Sequence, residues 1–152
     1  MARVADRLPI RVAVEAVVRK GSDILLVKRA ETCRVAPGVW NVPAGKVEFI
    51  TDPFIEIPSA AVRRECQEEI GMKVRVIREL AVRVFEMQVG SGSAYRVTHT
   101  FLVEPEDPEA PVILNHEHSD YVWVSIKGGW KDSKYGSLST ALKEVFERSF
   151  SD

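Results

Sequence analysis

The chain has 152 residues, 45% of them hydrophobic and 28% charged, which suits a single globular domain spanning 1–152 with a real core. A formal net charge of −1 supplies no basic field, so neither nucleic acid nor an anionic membrane surface is an expected partner. Two cysteines, Cys33 and Cys66, are too few for a disulfide framework or a zinc site and read as reduced thiols.

At the N-terminus, MARVADRLPIRVAV is broken by charges and has no apolar core of the kind a signal peptide needs. No apolar run approaches the ~20 residues of a membrane span, so the expected location is the cytoplasm. Arg11 to Arg19 and Ile24 to Lys28 are rich in β-branched and aliphatic residues around K-G-S-D, and read as two paired strands. Residues 30 to 38 form a loop ending in Pro37-Gly38. Val39 to Pro43 and Gly45 to Glu48 are short extended pieces around a tight turn, and Phe49 to Ile57, with Pro53 and no clean period, is assigned to a loop.

Pro58 suits the first turn of a helix because its missing N–H has no partner there in any case. That helix is expected to run to about Ile70, with Gly71 as the left-handed stop. Strands follow at Val74 to Val89 and Tyr95 to Val103, joined by G-S-G-S at 90 to 93, and then E-P-E-D-P-E-A-P forms a surface loop. Tyr121 to Ile126 reads as another strand. Leu138 to Phe150 carries apolar residues at 138, 142, 145 and 146, an amphipathic helix with Ser137 as its candidate cap. Strands, a helix, more strands and a final helix give an α+β fold class.

The stretch R-R-E-C-Q-E-E-I-G-M, 63 to 72, raises the functional question. Glu65, Glu68 and Glu69 fall at i, i+3 and i+4, so all three leave the helix within one narrow arc. Val62, Cys66 and Ile70 form the apolar stripe of the same helix, which puts Glu69 and Glu65 at its edge and Glu68 further toward solvent. A solvated acidic face is the ordinary reading of such a run. Against it, like charges at this spacing cost a few tenths of a kcal/mol per pair, and carboxylates at a core edge are also desolvated. Arg64 offsets only part of that charge, whereas a hard divalent cation with oxygen ligands offsets all of it.

These residues resemble a known signature. G-K-V-E at 45 to 48, Glu56, and R-E-C-Q-E-E-I-G-M at 64 to 72 are similar to the Nudix box of the Nudix hydrolases: a glycine, a glutamate, seven residues, then Arg-Glu-apolar-x-Glu-Glu-x-Gly-apolar. W-N-V-P-A-G-K-V-E also resembles the run leading into that box. One feature departs from the pattern. The family spaces its first glycine and first glutamate by five residues, whereas ten stand between Gly45 and Glu56, a five-residue insertion within Phe49 to Ile55.

The resemblance implies a mixed β-sheet between helices, an α/β/α sandwich, and hydrolysis of the diphosphate linkage in a nucleoside diphosphate joined to a further group. It implies Mg²⁺ (or Mn²⁺) held by Glu65, Glu68 and Glu69, with the Ala44 carbonyl as a further ligand and one glutamate near the metal as general base. Arg64 and Glu56 would form a bidentate pair that holds the loop against the helix and orients the ligands. Glu117, in N-H-E-H-S-D-Y-V-W-V, resembles a glutamate that many family members carry before a Trp-containing strand, so base, extra ligand and plain loop residue all stay open. His116 and His118 flank it without a third soft ligand nearby and are expected at the surface.

Substrate contacts are weaker expectations. Arg29 closes the second strand and is in reach of a phosphate, Lys46 lies in the box, and Trp130 with Tyr135 sits among three lysines in a segment read as a base-binding lid or as ordinary packing. Phe85 and Tyr95 are expected to pack on a sheet face. The competing functions are removal of nucleoside triphosphates and, in a different class, a nucleotide-sensing domain without catalysis, which the intact acids disfavour. An isopentenyl-diphosphate isomerase fits less well, because its chain is longer. The expected partner is a small nucleotide substrate, and a homodimer is an open expectation because many family members pair.

Overall fold

The computed structural model describes residues 9–51 and 54–151. In chain order it contains β1 (Ile10–Lys20), β2 (Asp23–Arg29), β3 (Trp40–Asn41), β4 (Ala44–Lys46), β5 (Phe49–Thr51), β6 (Phe54–Ile55), α1 (Pro58–Ile70), β7 (Val74–Val89), β8 (Gly92–Pro105), β9 (His118–Ser125) and α2 (Thr140–Phe150), with two short 3₁₀ turns at Gly129–Lys131 and Ser133–Tyr135. Seven strands form one mixed sheet in the order β3-β2-β1-β8-β7, with β4 also on β1 and β9 also on β2. β1 and β8 run parallel from Ile10↔Tyr95 to Val18↔Val103, while the other described pairs are antiparallel.

β1 explains why a helix is needed on each side. Val14 to Val18 are all buried, although strand side chains alternate between faces. Val14, Ala16 and Val18 join Leu25, Val27, Phe101 and Val103 beneath Ala61, Val62, Cys66 and Ile70 of α1. Val17 points the other way and packs with Ile24, Leu26 and Leu102 under Leu142 and Phe146 of α2. The α+β expectation, with a mixed sheet between helices, describes this arrangement.

α1 has Pro at its first turn, no side-chain cap, and Gly71 at φ 66° as its C-terminal stop, where the Gly71 N–H donates to the Cys66 carbonyl. A Cβ there would meet Ile113 at 3.0 Å, so both the left-handed backbone and the space select glycine. β7 has the predicted ends.

Several boundaries differ from expectation for identifiable reasons. Phe49 to Ile57 is not a plain loop. β5 and β6 pair within it, Phe49 opposite Ile55 and Thr51 opposite Phe54, while Pro53 lies outside the described residues. Ser137 does not cap α2: its hydroxyl accepts from the Trp40 amide at 2.9 Å, and Ser139 accepts from the Leu142 amide at 3.1 Å instead. α2 therefore begins at Thr140. β8 starts at Gly92 because Gly90 and Ser91 alone make the turn, and β9 starts at His118 because the ladder with β2 continues past a bulge to Arg29↔His118.

Candidate active site

The site is built where α1 crosses the rim of the sheet at β4. Glu65 and Glu69 are buried at 9% and 3% exposure, whereas the Glu68 side chain is about half exposed at 52%, as their places on the helical arc require. The Ala44 amide donates to Glu69 Oε2 at 3.0 Å. Gly45 stands directly against Glu65, since a Cβ built there would lie 2.0 Å from the carboxyl carbon. That contact gives a physical reason for glycine: any side chain there would displace the Glu65 carboxylate from its place against β4.

Arg64 ties three segments together. Its Nε donates to Glu56 Oε2 and an Nη to Glu56 Oε1, both at 2.9 Å, which is the two-pronged pair expected from the sequence. The same Nη donates to the Lys46 carbonyl at 2.9 Å, and the other Nη reaches Glu65 at 2.9 Å and Glu68 at 3.1 Å. The inserted residues leave this geometry intact because their excursion closes at its base. The Glu56 amide donates to the Glu48 carbonyl at 2.7 Å, and the Glu48 amide donates to Glu56 Oε1 at 3.2 Å. Glu56 thus returns beside Glu48, with the β5–β6 hairpin lying between them in the chain.

The 113–118 segment brings a fourth carboxylate. Ile113 and Asn115 amides donate to the Ile70 and Glu69 carbonyls, tying the loop to the end of α1. The Glu117 amide donates to Asn115 Oδ1 at 3.1 Å, while its carbonyl accepts from the Ala30 amide and the Cys33 thiol. Glu65, Glu68, Glu69 and Glu117 then line one cleft of ≈ 480 Å³ together with Asn115 and the Ala44 to Glu48 rim.

Burial pushes the Glu69 carboxyl up to about 9; the Ala44 amide opposes this, and the Glu65 and Glu117 carboxylates add to it. Burial also raises Glu65, against the pull of Arg64. Glu56 is held below its usual range, chiefly by its hydrogen bonds from Arg64, and the Arg64 guanidinium is correspondingly more firmly protonated. Glu69 therefore faces the cleft without a cationic partner among the described residues, and Glu65 shares the one guanidinium of Arg64 with Glu56 and Glu68.

Among the described residues no three side chains already stand as a closed ligand set, since Glu65 and Glu68 are turned onto Arg64. The donor chemistry nevertheless fits a hard divalent cation. It consists of carboxylates beside the rim backbone, in a cleft open enough to leave positions for water and phosphate oxygens.

Of the remaining sequence candidates, Lys46 and Ala44 line the cleft. Arg29 does not: its Nε donates to the Val35 carbonyl at 2.8 Å and holds the 30–38 loop. Trp130 is 5% exposed with its ring centroid 5.5 Å from that of Phe146, in the core under α2 and away from the acids. Tyr135 packs edge-on against Trp40 in the same core. His118 departs from the surface expectation. β9 carries it inward to 7% exposure, and burial lowers its pKa against the opposing pull of Glu117. Asn115 was not singled out from the sequence. Asn115-x-Glu117 is a side-chain-to-backbone turn, a local pattern that could have flagged Asn115.

A family model for the NUDIX domain matches residues 9–146. The chain belongs to the Nudix hydrolase family. Among solved structures, this Nudix protein is similar to a MutT protein from Methanosarcina mazei Go1, 26% identical with TM-score 0.71, covering 93% of this chain and 94% of that one. A Caenorhabditis elegans Ap4A hydrolase superposes with TM-score 0.65 at 18% identity, covering 91% and 94% of the two chains. A bifunctional NMN adenylyltransferase/ADP-ribose pyrophosphatase from Francisella tularensis, complexed with AMP and a Mn ion, gives TM-score 0.66 at 21% identity over 93% of this chain and 42% of that one. No curated protein matches. As a Nudix hydrolase the chain is an enzyme of phosphoric anhydride bonds.

Proposed function

We propose that this Nudix hydrolase uses Mg²⁺ or Mn²⁺ to cleave the diphosphate linkage of a nucleoside diphosphate joined to another group. The observation that carries the reading is the convergence of Glu65, Glu68, Glu69 and Glu117 on one cleft, a negative charge that Arg64 offsets only in part. Glu65, Glu68, Glu69 and the Ala44 carbonyl would hold the metal, which when bound neutralises phosphate charge and acidifies an attacking water.

The chain's own residues do the rest. Arg64 holds Glu65 and Glu68 on the cleft side of α1 while its clamp on Glu56 fixes the hairpin base. Glu117 is presented on a loop anchored at both ends, so its carboxylate is in place to take the proton of the attacking water. Lys46, exposed at the rim, offers a cation to the phosphate on the leaving side. Water enters freely because the cleft is broad, which suits hydrolysis rather than transfer to another acceptor.

The similar structures include proteins described as acting on Ap4A and on ADP-ribose, which places dinucleotides and nucleotide esters among the first compounds to test. The same carboxylate cleft would also serve a second reading, cleavage of nucleoside triphosphates. The test is a panel of NDP-sugars, ADP-ribose, dinucleoside polyphosphates and NTPs, each with Mg²⁺, Mn²⁺ or EDTA. At least one diphosphate ester is expected to turn over only with metal, and Glu68→Gln is expected to lose most of that rate while staying folded. Turnover of NTPs alone would select the second reading, and turnover in EDTA would overturn the metal assignment.

A further inference from the structure

The acidic cleft brings together two carboxylates that repel each other. Glu69 lies in the last turn of α1, Glu117 comes from the segment before β9, and the Glu117 charge helps push the Glu69 carboxyl upward. Two negative groups within reach of each other drive their segments apart unless the backbone is held. Residues 113–117 belong to no helix or strand, so individual bonds must hold them. The Ile113 amide supplies one, to the Ile70 carbonyl at 2.9 Å.

Asn115 supplies the rest at this end of the segment. Its N–H donates to the Glu69 carbonyl at 3.2 Å, its Oδ1 accepts from the Glu117 N–H at 3.1 Å, and its carbonyl accepts from the His118 N–H at 3.3 Å. One residue is thereby bonded to the backbone of both acids. A side chain that accepts from the N–H two residues on fixes the chain as a turn; Asn and Asp do this best, Ser more weakly, and Ala not at all. The Glu117 carbonyl is held separately, by the Ala30 N–H at 2.8 Å and the Cys33 thiol at 3.3 Å. Losing the Asn115 Oδ1 bond therefore frees only the N–H side of Glu117. The expected change is in the aim of its side chain, not in the fold of the loop.

Resting on the function proposed above, we infer that Asn115 is a positioning residue: its side-chain oxygen aims the Glu117 carboxylate into the cleft beside Glu69, where it takes the proton of the attacking water. Asn115 acts through Glu117 rather than on the substrate. Its backbone bond to Glu69 keeps that aim in register with α1, so the acid from the loop and the acids from the helix form one unit.

The test compares Asn115→Ala, Asn115→Ser, Asn115→Asp and Glu117→Gln on the compound of the panel above that the wild type turns over fastest. Glu117→Gln is expected to lower kcat about 100-fold or more and Asn115→Ala about 10-fold or more, each with KM little changed. Asn115→Ser should restore part of kcat. Asn115→Asp should restore kcat but raise KM, because it keeps the acceptor and adds a charge that repels phosphate. Asn115→Ala placed on Glu117→Gln should cost nothing further, since residues that act as one unit are not additive. Amide exchange at Glu117 in EDTA should be slow in the wild type, Ser and Asp proteins and fast in the Ala protein. Wild-type kcat in Asn115→Ala or in Glu117→Gln, additive losses in the double variant, or a lowered unfolding midpoint with kcat of the folded fraction unmoved would each overturn the inference while the hydrolase reading stands. Absence of turnover by the wild type across the whole panel would overturn the hydrolase reading and this role for Asn115 with it.

Discussion

The two helices cover opposite faces of one sheet but are made differently. α2 buries Leu142, Val145 and Phe146, carries the Ser139 cap and has Arg148 in its last turn. α1 has no side-chain cap and no base in its last turn, and it buries Glu65 and Glu69 beside Ala61, Val62, Cys66 and Ile70. α2 has a side-chain cap at one end and a base at the other, both of which favour the folded helix, and α1 has neither. α1 gives up part of that stability to hold carboxylates where water cannot fully solvate them. One helix chiefly stabilises the domain and the other chiefly performs its chemistry.

Substitutions with opposite signatures sharpen this contrast. Glu69→Gln is expected to lower turnover by about 100-fold or more, by analogy with the loss of metal-site groups. The same change should raise the unfolding midpoint of the EDTA-treated protein, because a neutral amide at 3% exposure needs no cation. Phe146→Ala should do the reverse. It should cost about 3–5 kcal/mol in denaturant unfolding while leaving the metal-dependent kcat of the folded fraction close to wild type. Comparable losses of stability from both variants would break the contrast.

A pH series probes α1 alone. Glu69 ordinarily titrates near 4.5 and is raised to about 9 here, so between those values the folded state holds a proton that the unfolded chain releases. Stability of the EDTA-treated protein should therefore fall as pH rises through that window, with a slope of up to about 1.4 kcal/mol per pH unit from this group. Saturating Mg²⁺ should flatten the slope, because the cation replaces the proton. Thermal melts from pH 5 to 9 with and without metal check this, and a slope indifferent to Mg²⁺ would detach Glu69 from the metal. The smallest expected effect is on the other helix. Ser139→Ala should cost about 1 kcal/mol through loss of the bond to the Leu142 amide, and an unchanged midpoint would mean that the cap contributes nothing.

Much of α1 was legible from local chemistry. Pro58 and Gly71 mark its ends because ring geometry and left-handed backbone act within a few residues. The burial order of Glu69, Glu65 and Glu68 follows from helical angles alone. Ser137 and Ser139 could not be told apart in the same way, since the choice depended on Trp40, which donates from nearly a hundred positions away. The surface assignment of His118 failed for a similar reason: β2 extends β9 by pairing Arg29 with His118 and draws the histidine inward.

The sequence by itself determined the acids, their helical arc, the glycines and the strand and helix types, because these follow from side-chain chemistry and the periods of the backbone. Only the tertiary structure decided what those acids face. The parallel pairing of β1 with β8, the closure of the inserted hairpin on Glu48 and Glu56, and the anchoring of Glu117 to Ala30 each join segments that no local rule connects.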